Sequence, residues 1–223
     1  MTTVASTAGC QDTTRPMTAE SAYYATARDD LVAELPRPLG RVLDVGCGEG
    51  ATGRALRAAG ASSLSGIEIH APSAEVARRS YDEVAVGPVE DVLDTLDGPF
   101  DTICCYDVLE HLAAPEAVLR RLRAVAAPGG RLQVSLPNAR HFSLVRDLVV
   151  RGTFGSTASG HRDITHLRWF TRRDIVATIE AAGFSVQSAG HPALARHARV
   201  HRLTRGRIAE FTSVQWVVLA RAG

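Results

Sequence analysis

The sequence predicts an α/β fold built on a mostly parallel sheet in a single domain. Three observations carry this. Short β-rich runs alternate with helical patterns of about 10 to 15 residues, as repeated βαβ units require. The run "RVLDV" passes directly into "GCGEG", a glycine turn of the sort that follows the first strand of a doubly wound sheet. A chain of 223 residues holds one α/β core comfortably and two only with difficulty.

The elements are expected in the following order. About the first 18 residues read as a disordered leader, and 19–223 as the domain. A strand at 41–45 leads through the glycine turn into a helix near 51–59. A strand at 64–69 carries an acid, Glu68, at its end and is followed by a helix at 73–81. Strands at 83–86 and 100–106 flank a short helix around Val92. A helix at 115–126 is closed by "PGG", a helix stop and turn, before a strand at 131–136.

After that strand the rhythm breaks. The segment 138–170 has no clear strand, contains "GTFGSTASGHRD" and is too long for an ordinary connection, so it is expected to be a lid or substrate loop. A helix restarts in "TRRDIVATIEAAGF", with Thr171 as its cap, Asp174 at the third helical position and Gly183 at its end. Strands at 184–189 and 213–220 complete the chain. Between them the Arg-rich insertion 191–210 holds Arg196, Arg199, Arg202, Arg205 and Arg207, with no acid before Glu210.

Composition excludes several classes. A formal charge of +1 and a pI near 7.8 give no general attraction to nucleic acid or membrane. All 25 Lys and Arg positions are Arg, which removes Schiff-base and pyridoxal chemistry. Cys10, Cys47, Cys104 and Cys105 lack the spacing of a zinc site or disulfide framework, and read as reduced thiols of a cytoplasmic protein. No run approaches roughly 18 apolar residues, so no membrane span is expected. The Arg-rich insertion reads as a solvated face or homodimer contact, or as a site for an anionic or carbohydrate acceptor. Without interleaved aromatics it is not an RNA footprint.

Two ligand classes compete for the glycine loop. A dinucleotide asks for G-x-G-x-x-G so that a helix amino terminus meets its pyrophosphate. Here Gly46, Gly48 and Gly50 are spaced G-x-G-x-G behind Asp44. An acid at that place opposes pyrophosphate and suits a cationic amine. Glu68, 22 residues after Gly46, stands where an acid accepts both hydrogen bonds of a ribose diol.

Taken together, "LDVGCGEG", "GIEIH", "FDTICCYDVLEHL", "APGGRLQVSLPN" and "HLRWFTRRDIVATIEAAGF" resemble a class I S-adenosylmethionine-dependent methyltransferase over roughly residues 20–220. The resemblance implies a Rossmann-like, doubly wound seven-stranded sheet whose last strand is antiparallel. It implies that Asp44, Gly46 and Gly48 hold the amino-acid part of S-adenosyl-L-methionine, Glu68 the ribose hydroxyls and Ile69 an adenine face. The loop after the third strand reads "GPVED", with Pro88 where the family has an acid, so Glu90 or Asp91 takes the adenine amino group instead. Tyr106, closing the fourth strand, counts among the cofactor contacts. Tyr23 or Tyr24 either closes over the methionine end or packs in a helix.

Methyl transfer to a hydroxyl also needs a base, and His serves near neutral pH. His111 follows the fourth strand; His141, His161 and His166 lie in or beside the long loop. The loop resembles that of a subgroup associated with sugar and polysaccharide modification, in which an Asn after the fifth strand precedes a D-x-x-H. Asp163 and His166 fill that pattern: Asp163 orients the His166 ring as general base, or else caps a turn while His166 packs under Trp169. His161, Asp163 and His166 could hold Mg2+, but magnesium prefers oxygen and the triplet offers one carboxylate and two imidazoles, so no metal is assigned. The expected activity is O-methylation of a sugar hydroxyl in a saccharide, glycan or glycosylated metabolite. The alternatives are N- or O-methylation of a small non-sugar metabolite, or a non-catalytic cofactor-binding partner. A nicotinamide dehydrogenase with a Tyr-x-x-x-Lys relay cannot exist without Lys.

Overall fold

The computed structural model describes residues 27–158, 160–191 and 208–223. The expected leader, Cys10, Tyr23, Tyr24 and the arginines from Arg196 to Arg207 lie outside the described residues. Seven strands form one sheet: β1 (Gly40–Val45), β2 (Ala61–Glu68), β3 (Glu83–Val86), β4 (Phe100–Tyr106), β5 (Ala126–Pro137), β6 (Phe184–Gly190) and β7 (Gln215–Ala222). Their order is β3-β2-β1-β4-β5-β7-β6. The first five pair in parallel, and β7 runs antiparallel to both β5 and β6. This is the expected doubly wound sheet with its last strand reversed. Strand order changes direction between β1 and β4, so the crevice beyond their carboxyl ends is where such sheets bind ligands.

Helices cover both faces, which is why β1 from Val42 to Val45 reads as a buried apolar run interrupted only by Asp44. Leu43, Val45, Ile103, Leu132 and Val134 face one core together with Val118, Leu119 and Leu122 of α5 (Pro115–Val125) and Ile175 and Ile179 of α7 (Arg172–Ala181). Val42, Leu64 and Cys104 face the other, with Leu31 and Val32 of α1 (Asp29–Glu34), Leu56 of α2 (Ala51–Ala58) and Ala74 and Ala77 of α3 (Ala71–Ala77). The short α4 (Val89–Val92) lies near the position expected around Val92. Cys47, Cys104 and Cys105 are buried free thiols.

Three local readings are refined. Helix α5 does stop at Val125, but β5 begins at once: pairing steps from Phe100↔Ala126 to Thr102↔Arg131, and the "PGG" turn falls inside that shift. Gly129 there has φ +70°, and a Cβ on Gly130 would lie 2.8 Å from the Ala127 carbonyl. Strand β7 starts two residues later than expected. The segment after β5, expected as a lid or substrate loop without a clear strand, contains a helix, α6 (Phe142–Arg151), ended by Gly152 at φ +64°. Its apolar residues point several ways, leaving Leu148, Val149 and Val150 exposed, so no single stripe marks it in the sequence. At α7 the capping box is present, Asp174 N donating to Thr171 Oγ1 and Thr171 N to Asp174 Oδ2.

The long segment leaves and returns at one point. Asn138 bridges Phe170, and Ala139 N donates to the Phe170 carbonyl (3.0 Å). Asp147 of α6 gathers Arg146, Arg151 and Arg162, which fastens the Gly160–Leu167 turn to the helix. A short helix, α8 (Ala209–Thr212), precedes β7. Among the described residues no helix is long and apolar enough to cross a membrane.

Candidate functional site

The loop after β1 is backbone shaped by glycine. Gly46, Gly48 and Gly50 have φ of +77°, +54° and +82°, a region costly for residues with a Cβ. A Cβ on Gly46 would also lie 2.6 Å from the Val108 side chain. Gly46 N and Cys47 N donate to the Ile67 carbonyl at 2.8 and 3.0 Å, so the loop continues the β1–β2 ladder before it turns.

Two acids bracket it. Glu68 is buried and accepts from Gly48 N (2.9 Å) through Oε2 and from His70 N (2.8 Å) through Oε1. A carboxylate has about four lone-pair directions, so roughly two remain for a ligand diol. Asp44, 2% exposed, accepts from the Tyr81 hydroxyl at 2.5 Å. Burial pushes its carboxyl up to about 7, opposed by the Tyr81 hydroxyl and reinforced by Glu68. Tyr81 reaches it through space left by two glycines: a Cβ on Gly53 would lie 2.3 Å from the Tyr81 ring and one on Gly66 3.1 Å. The sequence reading missed Tyr81; glycines inside a helix and a strand were the available signal.

Ile69 is 66% exposed beside Glu68, with its apolar face open to a flat ligand. Glu90 sits half-buried in the first turn of α4, its carbonyl accepting from Arg121. Tyr106 is buried, and its hydroxyl donates to Gln133 on β5 at 2.5 Å, so it offers a cofactor no hydroxyl.

Asp107, directly after β4, is the one residue other than glycine with positive φ (+55°) among the described residues. Its carboxylate accepts from Arg28 and from Gln215 Nε2, while Arg28 also donates to Gln215 Oε1 at 2.7 Å. The sequence reading missed this group, which joins α1, β4 and β7 by side chains distant in the chain. Asp44, Glu68, Asp107 and Glu110 thus place four acids at or just beyond the ends of β1, β2 and β4, a setting that favours a cationic ligand over a pyrophosphate.

Beyond β4 the chain makes a single turn, Leu109–His111. The Glu110 carbonyl accepts from Leu167 N (2.8 Å) and Arg168 N (3.0 Å), which draws the long segment over the strand end. His166 thereby meets His111, ring centroids 4.8 Å apart, with Trp169 5.5 Å from His166. His141 and His161 form a second pair at 5.3 Å. There His141 Nδ1 is bonded to Ser143 Oγ (2.8 Å) and His161 Nε2 to the Asn138 carbonyl (2.7 Å). Asn138 is itself structural, its amide donating to the Glu210 and Ser213 carbonyls.

Asp163 serves a different histidine from the one its spacing suggests. Its Oδ1 accepts from Thr165 N (2.8 Å) and Thr165 Oγ1 (2.7 Å), and Thr165 Oγ1 lies 3.2 Å from His111 Nδ1. Asp163 therefore orients His111 through Thr165. Burial, and then the neighbouring His111, press His166 down to about 4, and burial also lowers His111, His141 and His161. The magnesium triplet His161, Asp163, His166 is not gathered, because His161 turns to Asn138. Among the described residues the group whose ligand atoms converge is Glu110, His111 and His166, all within 4.8 Å of one another.

Residues 19–189 match the family model described as a methyltransferase domain. The chain is 38% identical over 96 residues to a ubiquinone biosynthesis O-methyltransferase of Bordetella bronchiseptica, a match covering 40% of this chain and 39% of the relative. It is 34% identical over 138 residues to the protein of the same name from Xylella fastidiosa, covering 59% and 56%. These matches thus span between about two fifths and somewhat over half of the relatives' length. The solved structure of an S-adenosylmethionine-dependent methyltransferase from Archaeoglobus fulgidus aligns with TM-score 0.64 over 91% of this chain and 97% of its own. At 16% identity that likeness is one of fold.

Proposed function

Because the chain belongs to the methyltransferase-domain family, we propose that it transfers the methyl group of S-adenosyl-L-methionine to a hydroxyl oxygen of a small, largely apolar acceptor such as a phenol. The observation that carries the cofactor half is the side-chain-free loop Gly46–Gly50 held between two buried acids, Asp44 and Glu68. The cofactor supplies an electrophilic methyl group on a sulfonium, and the protein's work is alignment. Asp44 faces the amine of the methionine part, Glu68 presents its remaining lone pairs to the ribose hydroxyls, and Ile69 covers one adenine face with Glu90 near its edge.

The acceptor half rests on the segment folded back over β4. The acceptor oxygen is held beside His111 and His166, a reading supported by their unpartnered buried nitrogens. The segment 138–170 acts as the acceptor lid, and its exposed Phe142, Leu148, Ile164 and Leu167 suit an apolar molecule better than a sugar. Relatives named for ubiquinone biosynthesis point the same way, while the saccharide expectation gains no such support. A ring pressed to about 4 is a weak proton acceptor, so His166 does not act alone as the base expected from the D-x-x-H spacing.

The test is a panel of catechols, other phenols, amines and sugars incubated with cofactor, with S-adenosylhomocysteine release measured for each. Turnover with phenolic hydroxyls above amines and sugars is expected; turnover confined to amines or sugars would refute the acceptor assignment.

A further inference from the structure

Four of the six buried side-chain N and O atoms without a hydrogen-bond partner among the described residues sit together: both carboxylate oxygens of Glu110, Nε2 of His111 and Nδ1 of His166. Glu110 is 1% exposed. Leaving a buried polar atom without a partner is costly, so four in one spot call for a missing partner. Among the described residues no side-chain donor reaches them.

We propose that Glu110, His111 and His166 form a binding site for one divalent transition-metal ion of the zinc or manganese type. Two imidazoles and one carboxylate are a ligand set for such an ion and a poor one for magnesium, which prefers oxygen alone. The His111 imidazole is in the right state. Thr165 Oγ1 donates to Asp163 Oδ1 and so receives a proton from His111 Nδ1; this fixes the tautomer with a bare lone pair on Nε2. Such an outer carboxylate behind a ligating His is the usual support of a metal site. Burial, and then Asp107, push the Glu110 carboxyl up, and a cation would stabilise its charged form. Ligand atoms on one ion of this type lie about 2.0–2.2 Å from it, hence at most about 4.4 Å apart. The observed 4.8 Å limit closes by small side-chain rotations.

The catalytic consequence rests on the proposed hydroxyl acceptor; the ion site itself does not. Three protein ligands leave open positions, and an acceptor oxygen bound there loses its proton near neutral pH. The O–H bond breaks with the proton passing to water, the oxygen forms a bond to the methyl carbon, and the C–S bond breaks with its electron pair left on sulfur.

Calorimetry with zinc on the chelator-treated full chain, without cofactor or acceptor, tests the site apart from the activity. One equivalent should bind to the wild type and to His161→Ala, and at least tenfold more weakly to Glu110→Gln and His166→Ala, with thermal melts confirming that each is folded. Should Glu110→Gln fail to fold, His166→Ala decides alone. No saturable equivalent, undiminished binding in the folded variants, loss of binding in His161→Ala, or equal affinity for magnesium would each overturn the proposal.

Discussion

Replacing Glu68 with Ala separates a cofactor ligand from a loop clamp. Glu68 accepts from Gly48 N and His70 N, both within 3 Å. Hydrogen bonds to a charged group contribute roughly 1.5–3 kcal/mol each, so losing both removes about 3–6 kcal/mol, less whatever water in the vacated space restores. A lower melting temperature is therefore expected whatever Glu68 does for the cofactor. The affinity decides. If the ribose hydroxyls use the remaining lone pairs, calorimetry should show cofactor binding at least tenfold weaker, since about 1.4 kcal/mol is tenfold. Glu68→Gln keeps the shape but sets an NH2 group against one backbone N–H, and should fall between wild type and Glu68→Ala on both readouts. A Glu68→Ala protein that melts lower yet binds S-adenosylmethionine with unchanged affinity would refute the ribose assignment and leave Glu68 a clamp on Gly48.

Cofactor affinity should rise with pH through about 7, because the amine needs Asp44 ionised and burial holds its carboxyl near that value; below neutrality, binding should release a proton, seen as a buffer-dependent heat. For the unliganded fold the sign is opposite: a carboxyl raised from 3.8 to about 7 gives stability that is complete below 3.8 and lost as pH climbs through about 7, so Asp44→Asn should stabilise the apo protein above neutrality by at most about 4 kcal/mol at roughly 1.36 kcal/mol per pH unit, in denaturant titrations. Gly46→Ala places a Cβ 2.6 Å from Val108 at φ +77°, and should destabilise the loop by about 1–2 kcal/mol or more and weaken cofactor binding in calorimetry. Thr165→Val cuts the link from Asp163 to His111; turnover should drop roughly tenfold or more with cofactor affinity unchanged, and Thr165→Ser should restore it.

What the sequence made legible was local. Asp44, the three glycines and Glu68 are strand ends and a turn, and each stands where pattern and spacing put it. The capping box of Thr171 and Asp174 is likewise a short-range signal. What it hid was contact between distant segments. Asp163 looked like the partner of His166 three residues on, yet its support goes through Thr165 to His111, 54 residues before Thr165. Glu110 and His111 join His166 because backbone bonds from Leu167 and Arg168 fold the long segment onto the end of β4. Tyr81 reaches Asp44 because Gly53 and Gly66 clear its path, a packing fact with no periodicity. Helix α6 went unseen because its apolar residues are exposed as well as buried.

The central claim is transfer of the cofactor's methyl group to oxygen by this chain. A single-turnover reaction, with enzyme in excess over methyl-labelled S-adenosylmethionine and a catechol acceptor, measures it directly when the product is resolved by NMR. The label should appear on an acceptor oxygen in amounts equal to the S-adenosylhomocysteine formed. Label that stays on a cofactor shown to be bound, or that arrives on nitrogen or carbon instead, would contradict the account.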